Sequence, residues 1–414
     1  YIRNEGYNTF YAGKYLNMYG FNGNGGTEYI PQGWSDWYAL VGNSRYYGQT
    51  ISNNGSSQVY GSQYITDYYT NVLREQALSF LDLQSKDKPF LLVVGTPAAH
   101  APFIPAPQYN NTAAGLKSPR TPNWNNVEIN KNKHQFMTLI EPMNATLQEE
   151  CDQGWRYRLG SLKSVDDLVE AVFDKMEHMG LVDNTYFLYT SDHGFHLGQY
   201  GLMYDKRQLY EEDIRIPWVM RGPGIPKNKS TDIFALNVDI APTFVDLATG
   251  KIPENMDGMS LVPYLNNTNN IDEQQFLIEY YGEVYDAETQ LATCGGYPGE
   301  YQQICDMFNN SYNCVRGINQ TNDEINGTIY CKFLCYDASH NQVSCDTNTV
   351  QGRGEYYNLD KDYYELNNTY DLLTNNSNTK YINELNKFMS CSGQIQCNQL
   401  RLGNKMKQYY QYIK

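Results

Sequence analysis

Two short stretches of this sequence place ionisable side chains where chemistry could be done. Ser191-Asp192-His193-Gly194-Phe195-His196 sets a carboxylate beside an imidazole, one oxygen and one nitrogen donor for a divalent cation. The bland alternative is a turn in which Asp192 bonds the backbone and Gly194 takes a positive φ. Gly95-Thr96-Pro97-Ala98-Ala99-His100 holds a histidine among Pro97, Pro102 and Pro105, which fix the backbone and make His100 a candidate acid or base. Lys14, in Gly13-Lys14-Tyr15, and Lys206, in Asp205-Lys206-Arg207, can each offer an ammonium to an oxyanion.

The elements around these residues read as α/β. Thr66 and Asp67 precede an apolar face at helical spacing (Tyr69, Val72, Leu73, Ala77, Phe80, Leu81) that ends before Lys88-Pro89. A second helix is predicted from a Ser164 cap, with Asp167 at its third position and Leu168, Val169, Val172, Phe173 and Met176 on one face, to Gly180. Each is followed by a short apolar strand, Phe90 to Val94 and Thr185 to Thr190, and each strand runs into one of the two histidine loops. In open α/β sheets such loops carry the ligands, so both are expected on one edge.

The chain has 414 residues, with 41% hydrophobic, 19% charged and a net charge of −15. That balance argues against a broad nucleic-acid surface, which needs clustered basic residues, so an anionic substrate must be met by a local site. No apolar run approaches the ~20 residues of a membrane span. The opening Tyr1-Ile2-Arg3-Asn4-Glu5-Gly6 shows neither initiator Met nor signal peptide and reads as the start of an internal fragment. A polar stretch at 266–270 divides a catalytic region, 1–265, from a smaller cysteine-rich C-terminal one, 266–414. Cys294, Cys305, Cys314, Cys331, Cys335, Cys345, Cys391 and Cys397 crowd into the latter at spacings unlike zinc motifs, so they are expected to pair among themselves, Cys391 with Cys397, leaving Cys151 apart. Asn-x-Ser/Thr acceptors recur, among them Asn54, Asn110, Asn144, Asn228, Asn367 and Asn375, and with the disulfides favour a glycosylated secretory-pathway protein.

The order of the segments adds to this. Tyr7 to Asn17, Pro31-Gln32-Gly33-Trp34-Ser35-Asp36-Trp37-Tyr38, the His100 loop, Ser164-Val165-Asp166-Asp167 and Asp192-His193-Gly194 resemble the sulfatase family in series. Asp205-Lys206-Arg207-Gln208-Leu209-Tyr210, Arg221-Gly222-Pro223-Gly224 and Tyr312-Asn313-Cys314-Val315-Arg316 are most similar to its branch acting on N-acetylglucosamine 6-sulfates. The resemblance implies an alkaline-phosphatase-like sulfatase fold, a bound calcium, and hydrolysis of a sulfated sugar or glycosaminoglycan in a lysosomal or secreted setting. Residue by residue, it makes Asp192 and His193 calcium ligands. Lys14, His100 and Lys206 become sulfate-ester contacts, with His100 and Lys206 on the departing oxygen. Asn17, where relatives often carry histidine, His134 and His196 are expected near the substrate, while His178 and His340 are expected to be surface residues.

The family acts through a formylglycine made from the cysteine of a Cys-x-Pro-Ser-Arg motif, and two adjacent aspartates supply its first metal ligands. Neither occurs in these 414 residues; both lie upstream of the Gly13-Lys14-Tyr15 segment in the family, so truncation is the expected reason. The competing expectations are an arylsulfatase or endo-acting glucosamine-6-sulfatase, and a non-catalytic glycan-binding protein of the same fold.

Overall fold

The computed structural model describes residues 1–266, 273–282, 293–294, 297–298, 310–321, 324–336, 342–343 and 354–403. Cys305, Cys345 and His340 lie outside them. The first sheet runs β4-β3-β2-β1-β5, built from β1 (Asn8–Lys14), β2 (Asp36–Leu40), β3 (Thr50–Asn53), β4 (Ser56–Val59) and β5 (Phe90–Gly95). β1 pairs in parallel with both β2 and β5, while β3 and β4 extend the sheet as antiparallel hairpin strands.

Helix α1 (Tyr69–Asp82) lies between β4 and β5 in the chain, as its spacing predicts, and buries Tyr69, Val72, Leu73, Ala77, Phe80 and Leu81 against Phe10, Ala12, Tyr38 and Leu40 of the sheet. The second helix, α2 (Ala145–His178), differs from its expected form: it has 34 residues, and Ser164 is buried in its interior rather than capping it. Its cap is Asn144, whose side chain accepts from Leu147 N at 3.0 Å. The apolar face at Leu168 and Met176 does join the α1 core, as the spacing implied.

β6 (Phe187–Thr190) follows α2 and pairs antiparallel with β7 (Trp218–Arg221) in a separate two-stranded sheet. The two histidine loops therefore leave strands of different sheets. Helix α3 (Ile240–Thr249) precedes a further, four-stranded antiparallel sheet of β8 (Glu273–Tyr280), β9 (Tyr312–Thr321), β10 (Glu324–Phe333) and β11 (Glu355–Asn358), in the order β11-β10-β9-β8. Helices α4 (Asn375–Ser390) and α5 (Gln394–Leu402) follow. Phe136, Met137, Leu202, Leu209 and Tyr210 share one apolar core with Tyr312, Ile329, Phe333 and Tyr357, so this sheet is packed onto the preceding part of the chain.

Cys314 bridges to Cys331 across paired positions of β9 and β10, and Cys391 to Cys397 at the start of α5, the latter as expected. Cys335 is also disulfide-bonded. Cys151 is free and buried in α2, where burial pushes its thiol up to about 12. Among the described residues, no helix is long and apolar enough to cross a membrane.

Candidate active site

The parallel register of β1 and β5 brings the first two candidates to one edge. Gly13 is opposite Gly95, so Lys14 and the His100 loop both emerge at the carboxyl ends of adjacent strands. Gly13 is obligatory there: its φ is +115° and a Cβ would lie 1.9 Å from the Gly95 carbonyl oxygen. The His100 loop is fixed from several sides. Tyr46 Oη donates to His100 O at 2.8 Å, Arg158 Nη1 to Ala99 O at 2.8 Å, and the ring Nδ1 of His100 donates to Ala101 O at 2.7 Å. With Nδ1 so engaged, Nε2 is the nitrogen left for a substrate.

The Asp192-His193 loop returns to this edge from β6. Asp192 Oδ1 accepts from His193 N at 3.1 Å, so the turn reading is right in part, but Gly194 has no positive φ. Its need for glycine is space: a Cβ would meet the Glu212 carbonyl oxygen at 2.2 Å, where Gly194 N and Phe195 N bond to Asp213 O and Glu212 O. His193 Nδ1 donates to Gly194 O at 2.7 Å, and Nε2 lies 3.4 Å from Asp192 Oδ2. An imidazole whose far nitrogen is tied to a carbonyl and whose near nitrogen sits beside an exposed carboxylate is the usual presentation of a metal-ligating pair. The two residues fit part of a divalent-cation site; among the described residues no group of three or more such ligands is present.

The charges of these loops act on one another. Burial, more than the opposing hydrogen bond to Ala101, together with the charges of Lys14, Lys206 and His193, holds the His100 imidazole below its ordinary value. Lys14 is lowered by burial and by Lys206, with Asp192 acting against both. Tyr11, which donates to Lys14 O, is raised by burial, by Tyr15 and by Asp192. Lys14, His100, Asp192, His193 and Lys206 thus lie within reach of one another's charges. Lys206 rests 3.3 Å from Asp205 Oδ1, and Arg207 holds the other oxygen of that carboxylate at 2.7 Å.

The remaining candidates divide. Asn17 is exposed in the turn that follows Lys14. His196 is buried, its Nδ1 bonded to Asp213 at 2.8 and 2.9 Å and its Nε2 without a hydrogen-bond partner among the described residues. His134 must be corrected: it is fully buried, with Nδ1 2.7 Å from Glu355 Oε1, Nε2 3.1 Å from Asn310 Oδ1 and the Phe333 ring stacked at 4.3 Å. No surface is left on it for a sugar. His178 is exposed, bonded to the Asp174 carbonyl of its own helix.

Residues 1–251 match the family described as Sulfatase, and residues 198–313 match the C-terminal domain described as N-sulphoglucosamine sulphohydrolase, C-terminal. The chain belongs to the sulfatase family of sulfuric ester hydrolases. It is 40% identical over 397 residues to the N-acetylglucosamine-6-sulfatase of Capra hircus, covering 94% of this chain and 67% of that protein. It is 39% identical over 295 residues to the extracellular sulfatase SULF-1 homolog of Drosophila melanogaster, covering 70% of this chain and 26% of that one. A protein solved in complex with its substrate D-glucosamine-2-N,6-O-disulfate superposes with a TM-score of 0.65 at 22% identity, over 99% of this chain and 81% of its own, which establishes the shared fold. The family generally uses a formylglycine and a divalent metal. None of the nine cysteines here stands in a Cys-x-Pro-Ser-Arg motif, so no step is assigned to that group in this chain.

Proposed function

We propose that this protein hydrolyses the 6-sulfate ester of N-acetylglucosamine residues at chain ends of heparan or keratan sulfate, as a glycosylated lysosomal or secreted enzyme. The observation that carries the reaction class is the cluster of two ammonium groups, one imidazole and the Asp192–His193 pair at a single edge of the fold. The goat relative supports the sugar. Six of the acceptor asparagines, Asn54, Asn110, Asn144, Asn228, Asn367 and Asn375, are exposed, which suits N-glycans.

A sulfate monoester brings one negative charge spread over its oxygens, and its alcohol leaves only if protonated or otherwise stabilised. Lys14 and Lys206 neutralise the sulfate. His100 Nε2, on a ring oriented by Ala101 O, donates the proton to the departing sugar oxygen. Asp192 and His193 would hold a calcium ion, which when bound supplies further positive charge to the sulfate oxygens. Arriving sulfate also raises the His100 proton affinity that Lys14 and Lys206 depress, so the acid is charged when it is needed.

Sulfate release by the full-length protein from N-acetylglucosamine 6-sulfate, from sulfated polymer and from nitrophenyl sulfate tests the reading. Release from the monosaccharide and from polymer ends is expected. Desulfation inside the polymer would favour an endo-acting enzyme, and hydrolysis of nitrophenyl sulfate alone an arylsulfatase. Glycan binding with no hydrolysis would leave a non-catalytic protein.

A further inference from the structure

Three loops deliver every group of the cluster but Lys14, and each carries an aromatic residue two or three positions from its reactive group: Phe103 after His100, Phe195 after His193, Tyr204 before Lys206. These rings meet. Phe103 packs edge-on against Phe195 at 6.1 Å and Tyr204 at 5.9 Å, and Phe195 stacks parallel to Tyr204 at 6.5 Å. Arg158, from the middle of α2, lies over them with its guanidinium carbon 4.0 Å from the Phe195 ring and 5.8 Å from that of Phe103, while Nη1 donates to Ala99 O beside His100. We propose that Arg158, capping the Phe103–Phe195–Tyr204 knot, is the positioning residue that sets the His100, Asp192–His193 and Lys206 loops in register. The proposal rests on the hydrolase reading of that cluster and adds to it the part that aligns the groups.

Two further observations support it. No carboxylate pairs with Arg158 among the described residues, and burial lowers its pKa to about 10. A desolvated cation without an anion is a standing cost to stability that cation–π contacts and one carbonyl only partly offset, so its role is not simply to stabilise the fold. Phe103 is buried with φ at +55°, a left-handed conformation that a bulky residue holds only when its surroundings impose it. The knot supplies that imposition.

The test uses the full-length protein and two readouts. R158M should lower kcat on N-acetylglucosamine 6-sulfate by about 10²-fold with KM little changed, the signature of reacting groups displaced by about an ångström. R158K should recover only part, since an ammonium reaches Ala99 O but cannot lie flat across two rings. Independently of activity, hydrogen exchange should quicken in all three segments, 97–105, 192–198 and 203–209, and stay unchanged in β1 and α1. Unaltered kcat in folded R158M, or faster exchange in one loop alone or throughout the fold, overturns the proposal. If R158M does not fold, Y204L, which opens the knot without uncovering a charge, must give the same three-loop pattern or the idea fails. An inactive wild-type protein would sink the hydrolase reading, and the exchange pattern would still decide this one.

Discussion

Two histidine–carboxylate pairs in this molecule are made of the same chemistry and do opposite things. At the sheet edge, the Nε2 of a partly exposed His193 stands 3.4 Å from an exposed Asp192, with Nδ1 tied to a carbonyl. In the seam between residues 133–134 and β11, His134 meets Glu355 at 2.7 Å with both partners buried. Glu355 also accepts from Tyr357 at 2.7 Å and Tyr210 at 3.1 Å. Lys133, fully buried beside them, donates to Tyr357 Oη and Glu365 O and sits over the rings of Tyr200, Tyr210 and Tyr357 at 4.3–4.8 Å. The difference lies in satisfaction. A pair with every donor and acceptor engaged and no solvent holds structure together; a pair that shows unused lone pairs at a strand end is free to bind.

The largest effect should come from the open region. His100→Ala should cut turnover on a sugar sulfate by about 10²–10⁴, the usual worth of a general acid, and far less on nitrophenyl sulfate, whose phenolate leaves unaided. Equal losses would reduce His100 to a binding group. The pH dependence has a definite sign. Because the imidazole is held below its ordinary value of 6.5 in the free site, kcat/KM should fall as pH rises through a value under 6.5, and activity should be lost above neutrality.

The closed region predicts a loss of stability. His134→Ala leaves a buried carboxylate short of its main partner and should destabilise by about 3–5 kcal/mol in denaturant titrations. Burial pushes Glu355 up, but the hydrogen bond and charge of His134, the charge of Lys133 and the bond from Tyr357 more than reverse this and hold it at about 2. A carboxylate depressed in the folded state stabilises above its ordinary value of 4.5, so this contribution should disappear as pH falls from about 4.5 toward 2. Glu355→Gln should flatten that part of the acid unfolding curve. An unchanged curve would show that the seam does not depend on the pair.

Sequence patterns distinguish the two regions only in part. The open pair is legible because its chemistry is local: adjacent residues after an apolar strand, in a loop where ligands gather. The closed pair joins residues 221 positions apart, and nothing near His134 announces Glu355. The long helix was hard to read for a related reason. Its N-terminal half carries Gly154 and Gly160, poor helix formers, and Gly160 is kept because a Cβ there would lie 2.8 Å from Tyr109 O of the segment packed across it. Arg158 faces loops from distant parts of the chain, so no periodicity marks it. The α/β order, α1 and the strand-end loops were legible from spacing alone.

The metal-ligand role proposed for the open pair predicts an intermediate effect. Asp192→Asn should weaken calcium binding by the full-length protein by at least about tenfold, since even outer-shell partners of a metal site are worth about 10–100-fold. Residues 1–414 expressed alone should bind calcium weakly, because two side chains fall short of the six to eight ligands calcium takes. Tight binding by these residues alone in calorimetry would mean that other residues of this chain complete the site.

The smallest effect tests the rule itself, because His196 and Asp213 form a third pair that belongs fully to neither class. Asp213 grips Nδ1 and also accepts from Gln208 N at 2.7 Å, so one side of the ring is as well satisfied as His134. The other side is not: Nε2 is buried without a hydrogen-bond partner among the described residues, and His196 N bonds to Asp205 O, next to Lys206. A buried nitrogen left unmatched costs about 1–3 kcal/mol, a cost that a partner arriving with substrate would relieve. His196→Phe keeps much of the ring's bulk and leaves Asp213 its contact with Gln208. It should raise KM for the sugar sulfate several-fold while kcat changes little, since the lost contact would serve the bound ground state and the transition state alike. If KM is unmoved and only the unfolding midpoint falls, His196 belongs with His134 as a structural residue, and an unpaired nitrogen beside the site is not enough to mark a substrate contact.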